Sequence, residues 1–375
     1  MPEKRSRGGK RQGRPQAAPP ALTGLGQAFE GHGLLEERSG EGTLLLWQSL
    51  RDVLLWASTP ADQRNELFVP GSESHRAEAL DRAKMDRKLK IPLLTIAQVL
   101  EEGAEISAAD LASACRKVSR WADEQGLPRM AIWYAQAAAA TMPVDAEPAY
   151  TVGLLCRRNA EYERAETWFR RAMVLARRSG DNQSYALAWI GIGNLYIRRG
   201  DFLSARKALK RALRRARKGG LRRPKAMALH DLFTIAVELI EIADAEALAR
   251  QTYRAYGPRH PRLPVLAHDV ASFWLLQGYY RRALVVYEAI LELITHPAER
   301  LLILSTIARA AAGARRRDIF TNVWVESWEI IDRKPDAERI CSALLNLAYA
   351  SATLRDWERS EIAARLAVEL AAKRK

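Results

Sequence analysis

The sequence predicts an all-α fold made of stacked helical hairpins, and three observations predict it. From Thr43 onward apolar residues recur at helical spacing, strand-like alternation is absent, and a small or short residue returns every 34 to 40 positions. A closed core would suggest two or three domains for 375 residues. An array of repeats instead grows by adding units that contact only their neighbours, with no domain boundary required.

The elements follow in chain order. Composition, at 48% hydrophobic and 27% charged, excludes disorder for the chain as a whole. Residues 1–40 are rich in Gly, Pro, Arg and Glu without apolar periodicity, and read as a disordered basic arm. The pattern changes at TLLLWQSLRDVLLWAS, where Leu46, Trp47, Leu50, Val53 and Leu54 open an N-terminal helical cap expected over residues 41–106. Thr59 reads as the N-cap of a further helix with Pro60 in its first turn. Ser74 and Ser107 read as later caps, Ser107 pairing with Asp110 in a variant of the capping box. Pro92, Pro128 and Pro143 are expected at helix boundaries.

The repeat is clearest in ALAWIGIGNLYIRRGDFLSARKALKRALRRAR, residues 186–217. Gly193 and Ala205 are small where two antiparallel helices must approach, and Trp189, Tyr196 and Phe202 fill the space around them. Gly200 ends the first helix in a conformation other residues adopt with strain, and Asp201 starts the turn into the second. The same register aligns Ala131, Ala165, Ala205, Ala245, Ala283, Asn322 and Ser360, in steps of 34, 40, 40, 38, 39 and 38.

Trp189, Ile192, Gly193, Tyr196, Gly200, Asp201, Phe202, Ala205, Leu209 and Ala212 stand in the signature order of the tetratricopeptide repeat, which this segment resembles. AYTVGLLCRRNAEYERAETWFRRA resembles it through Gly153, Tyr162, Ala165, Phe169 and Ala172. HDVASFWLLQGYYRRALVVYEAI resembles it through Trp274, Gly278, Tyr280, Ala283 and Tyr287. Other units depart from the pattern: no glycine precedes the turn near Ala245, Asn322 and Ser360 replace alanine, and Pro128 stands where an aromatic is usual. The resemblance implies a right-handed superhelical solenoid of about seven hairpins, in a long-repeat variant, over residues 107–375. It also implies a non-enzymatic scaffold or adaptor that binds a protein or peptide in a concave groove lined by the first helices.

Carried over by register, the groove positions are Arg116 and Arg120, Tyr150, Leu154 and Arg157, Asn194, His230 and Thr234, and His268 and Ser272, followed by Ile307, Ala311, Leu345 and Tyr349. Arginine forks and an asparagine suit a peptide carrying acidic residues. The lysines of the carboxylate clamp found in some family members are missing at the matching positions, which disfavours chaperone-tail binding.

Charge supplies a second reading. The net charge of +15 is concentrated in two stretches, +5 within residues 1–22 and +12 within residues 198–225. On the second helix of the clearest repeat, Arg206, Lys210, Arg214 and Lys218 form one row and Lys207, Arg211 and Arg215 the next, with Arg222 and Arg223 beyond Gly219-Gly220. Such a basic stripe could follow phosphates of RNA or DNA without reading bases, since no helix-turn-helix, zinc finger or aromatic platform accompanies it. A solvated helix face is the plain alternative.

Enzymatic readings find little support. No phosphate loop, nucleophile elbow or H-E-x-x-H motif is present, and no cofactor or metal is expected. His230-Asp231 and His268-Asp269 share one register on neighbouring repeats, which leaves a remote reading as an enzyme site. Cys115, Cys156 and Cys341 are dispersed and read as buried free thiols, with no disulfide framework. Without an apolar leader or a membrane-length apolar run, a cytoplasmic location is expected.

Overall fold

The computed structural model describes residues 36–38, 42–64, 76–102, 107–333 and 340–373. The arm expected over residues 1–40 lies outside the described residues apart from 36–38, and so does the expected cap residue Ser74. Every described element is helical: α1 (Thr43–Ser58), α2 (Arg76–Arg82), α3 (Arg87–Glu102), α4 (Ala108–Glu124), α5 (Pro128–Thr141), α6 (Ala146–Arg158), α7 (Tyr162–Ser179), α8 (Asn182–Arg198), α9 (Phe202–Lys218), α10 (Arg222–Glu238), α11 (Ile242–Tyr256), α12 (Leu263–Leu276), α13 (Tyr280–Leu291), α14 (Pro297–Gly313), α15 (Arg317–Arg333), α16 (Ile340–Thr353) and α17 (Trp357–Lys373). From α4 onward they form seven consecutive hairpins, α4–α5 through α16–α17.

The chain divides into two compact units, Met1–Pro224 and Lys225–Lys375. In the first, α1 packs against α3 and α5, and the buried Tyr134 hydroxyl donates to the Leu46 carbonyl at 2.7 Å. Glu37 accepts the backbone N–H groups of Arg129 and Met130 at 2.6 and 2.8 Å, satisfying donors that the first turn of α5 leaves open. Ser107 caps α4 by accepting the Asp110 N–H at 3.2 Å, and Pro128 is the first residue of α5.

Two punctuation signals in the cap region behave differently from expectation. Thr59 closes α1 rather than opening another helix: its hydroxyl donates to the Leu55 carbonyl at 2.7 Å. Pro92 lies inside α3, not at a boundary. Leu89, Leu93 and Ile96 on that helix are all buried, and this burial offsets the hydrogen bond that proline removes.

Each hairpin turns through a residue with positive φ, two positions before its second helix. Gly126, Gly200 and Gly278 take this role at φ 72, 74 and 80°, and Ala160, Ile240, Arg315 and Arg355 at 59 to 61°. The fourth residue of the second helix is then the inward position that the sequence repeat tracks, at Ala131, Ala165, Ala205, Ala245 and Ala283. In α15 that position is the buried Phe320, while Asn322, assigned to it from spacing alone, faces solvent. In α17 it is Ser360, whose hydroxyl donates to the Ala348 carbonyl of α16 at 3.0 Å.

Close approach in the clearest repeats depends on three glycines. A Cβ on Gly153 of α6 or Gly191 of α8 would stand 2.7 or 2.6 Å from the Phe169 ring, so one fully buried phenyl group is wedged between two bare backbones. A Cβ on Gly193 would meet Leu209 at 2.8 Å.

Candidate binding surfaces

In the first unit, α4, α6 and α8 are the first helices of three consecutive hairpins, and α6 packs against α8. Arg116 donates to Glu147 of α6 at 2.7 Å, whereas Arg120 faces solvent. Tyr150 is half-buried with its ring centroid 5.8 Å from that of Phe169, which fixes it as a rigid aromatic surface. Leu154 and Arg157 on the same helix are half-buried, as is Asn194 on α8, whose amide donates to the Ile190 carbonyl at 3.0 Å. The strip carries cationic, aromatic and amide groups on adjoining helices.

The second unit departs from the expected groove at three positions: His230 is 5% exposed and turned into a polar network, and the other two lie on α14. Ile307 and Ala311 are 1% and 0% exposed, because α14 packs against α13, α15 and α16 and has no free face there. Leu345 and Tyr349 on α16 are exposed, and the Arg309 guanidinium lies 4.9 Å from the Tyr349 ring centroid.

The basic stripe divides into two layers. Arg211 lies 4.9 Å from the Trp189 ring and Arg215 5.5 Å from the Tyr185 ring, so these two lean over α8. Arg206 is half-buried, and Lys207, Lys210, Arg214, Lys218, Arg222 and Arg223 face solvent. Among the described residues Lys210, Arg211, Arg214 and Lys218 form no ion pair, leaving their charge uncompensated at contact range.

His230 and His268 belong to a polar network inside the second unit. His230 is 5% exposed and uses both ring nitrogens: Nδ1 lies 3.1 Å from the Tyr256 hydroxyl and Nε2 2.9 Å from Asp269. Burial raises the Tyr256 phenol, so its hydroxyl stays protonated beside Nδ1, while the Asp269 carboxylate accepts from Nε2. His268 donates from Nδ1 to the other Asp269 oxygen at 3.2 Å. Burial pushes the Asp269 carboxyl up, but the hydrogen bonds from His230 and His268 outweigh it and hold the group at about 2. Tyr256 stacks on His260 at 4.3 Å, and Tyr287 shares a 2.8 Å hydrogen bond with Ser272. The network ties α10, α11 and α12 together, with its central imidazole closed to substrates. Among the described residues no three His, Cys, Asp or Glu side chains could hold a metal ion.

Comparison with known proteins accords with the hairpin geometry. A family profile described as tetratricopeptide repeat matches residues 145–218, the segment in which Gly153, Gly191 and Gly193 close on Phe169 and Leu209. Residues 145–218 carry the tetratricopeptide match, and the hairpins on either side of them share its helical-pair plan. No curated protein matches it in sequence. A Rap protein complexed with Competence and Sporulation Factor is similar in fold at 14% identity, covering 94% of this chain and 95% of that one with a TM-score of 0.53. The Rap conjugation gene regulator of the plasmid pLS20, in complex with the Phr* peptide, aligns at 13% identity over 92% of this chain and 96% of that one, with a TM-score of 0.52. A human IFIT1 dimer with PPP-AAAA aligns at 11% identity over 83% and 81%, with a TM-score of 0.41.

Several residues that organise these helical hairpins carry little signal in the sequence. Asp269 stands out there only as the neighbour of His268, yet it joins histidines 38 positions apart, and Tyr256 gives no signal at all. Gly191 carries the closest approach to Phe169 but lies outside the repeat signature. The thiols of Cys115 and Cys156 are buried and pushed up to about 12, mainly by desolvation, which leaves them chemically inert. Among the described residues no helix is long and apolar enough to cross a membrane.

Proposed function

We propose that this protein is a non-enzymatic scaffold that binds a protein segment along the first helices of its N-terminal repeats, through Arg116, Arg120, Tyr150, Arg157 and Asn194. The observation that carries this reading is the pinned, half-exposed Tyr150 on the same helix as Arg157, packed beside the helix that bears Asn194. A rigid aromatic flanked by guanidinium and amide groups is what an extended, acidic peptide needs: area that costs little ordering entropy, and forked donors for carboxylates. The likeness to Rap proteins supports the solenoid framework for such a strip and nothing finer.

The test is a tagged pull-down from the protein's own cell lysate after nuclease treatment, comparing wild type with a triple variant, Arg120→Ala, Arg157→Ala and Asn194→Ala. A partner recovered in stoichiometric amount by wild type and lost from a helical, cooperatively melting variant supports the groove. Equal recovery by both removes it.

A second reading rests on the uncompensated cations of α9. Sequence-independent contact with RNA or DNA would give affinity that falls steeply with salt. Neutralising Lys210, Arg211, Arg214 and Lys218 should lower the slope of log affinity against log salt by about 0.7–0.9 for each phosphate that the variant no longer neutralises. An unchanged slope assigns the stripe to solvation.

A further inference from the structure

Within the second unit, a cleft of about 780 Å³ lies over α12, between α11 and α13. The eighth residue of the second helix is the buried Phe169 in α7, Leu209 in α9, Tyr287 in α13 and Trp324 in α15, and it is alanine in α5, α11 and α17. In α11 that position is Ala249, which remains half-exposed, as do Val270 and Trp274 of α12 beneath it, while Phe273 forms the buried floor. The volume falls within the range of about 300–1,000 Å³ typical of small-molecule sites, and aromatic walls are the usual lining of such sites.

The rim carries charge of one sign. Arg250 and Arg254 stand on the α11 wall and Arg282 on the α13 wall, against a single lining carboxylate, Glu246, which pairs with Arg250 at 3.6 Å. Among the described residues Arg254 and Arg282 form no ion pair; Arg282 rests over the Tyr279 ring at 5.3 Å. An apolar trough between two unpaired guanidinium groups is complementary to an apolar body that ends in an anion.

We infer that this cleft binds a small anionic amphiphile, its apolar part against Val270 and Trp274 and its carboxylate or sulfonate held by Arg254 and Arg282. The site is separate from the first-helix strip of the N-terminal repeats and does not depend on it.

The test uses the full chain with anilinonaphthalene sulfonate as the fluorescent probe, and with dodecanoate or dodecyltrimethylammonium as competitor below micellar concentration. One saturable site is expected, displaced by dodecanoate and not by the cation. Ala249→Phe, which restores the side chain Phe169 supplies at the same register, should weaken binding roughly tenfold or more. The pair Arg254→Glu and Arg282→Glu should do the same while leaving helix content and melting temperature in place, and this second variant decides the matter should Ala249→Phe fail to fold. Wild-type affinity in a folded variant of either kind, or equal displacement by the cationic competitor, overturns the assignment.

Discussion

The hairpins at residues 146–218 and those at 222–291 share one plan and are filled differently. In the first region contact is apolar and tight: Phe169 sits between Gly153 and Gly191, and Leu209 closes on Gly193. In the second, Ala249 takes the place of Phe169, a cleft opens over α12, and a buried histidine with its tyrosine and aspartate partners ties the helices instead. Apolar closure specifies a repeat by steric fit. A polar tie holds the same topology while leaving volume and charge available at the surface.

The largest effect that would break this contrast is expected at Phe169. Phe169→Ala should cost about 3–5 kcal/mol in chemical denaturation, because it removes a buried ring from between two glycines that cannot fill the space. A cost below that of an ordinary surface change would mean that the region is not held by this wedge. Gly193→Leu tests closeness rather than filling, and should destabilise by about 1–3 kcal/mol through overpacking against Leu209.

For the polar region the corresponding change is His230→Ala, which strands Tyr256 and Asp269 and should cost about 1–3 kcal/mol. Acid sharpens this comparison. Asp269 titrates lower in the folded chain than in the unfolded one, so its contribution is complete above the ordinary carboxylate range and is lost as pH falls through about 2. Melting followed from about pH 5 downward should therefore show a steeper loss in wild type than in Asp269→Asn. Parallel curves would indicate that the tie carries no net stability.

The smallest expected effect lies at the turns. Gly200 and Ile240 occupy equivalent turn positions with φ of 74 and 59°, and a β-branched residue is strained there. Ile240→Gly should stabilise by about 1 kcal/mol, net of the entropy glycine adds to the unfolded chain, and Gly200→Ile should destabilise by at least as much.

Hairpin number was legible because the period is written in residues that cannot be large, such as Ala165 and Ala205 where second helices enter the core. Register slipped at α15 because Phe320 fills the inward position by size, and spacing alone then selected the polar Asn322 two residues on. The turns near Ala160, Ile240, Arg315 and Arg355 lacked their glycine signal because the helices on either side impose the left-handed conformation regardless of residue type. Of the candidate sites, the strip on α4, α6 and α8 follows from repeat register. The network does not, since its partners lie 26 and 39 residues from His230 and meet only through packing. The cleft over α12 involves Ala249 but is not legible from register alone, since Ala135 and Ala364 hold the same position and Ala135 is fully buried.

Ile240 and Ala249 lie on the same hairpin, one strained and the other underfilled. In a molecule stabilised by nearest-neighbour contacts, such a joint is where the native state breathes. Amide protons of α11 should therefore exchange with solvent well before those of α9, through fluctuations that leave the tightly wedged repeats closed. A hairpin that opens this readily also lets the α11 wall of the trough adjust to what it holds.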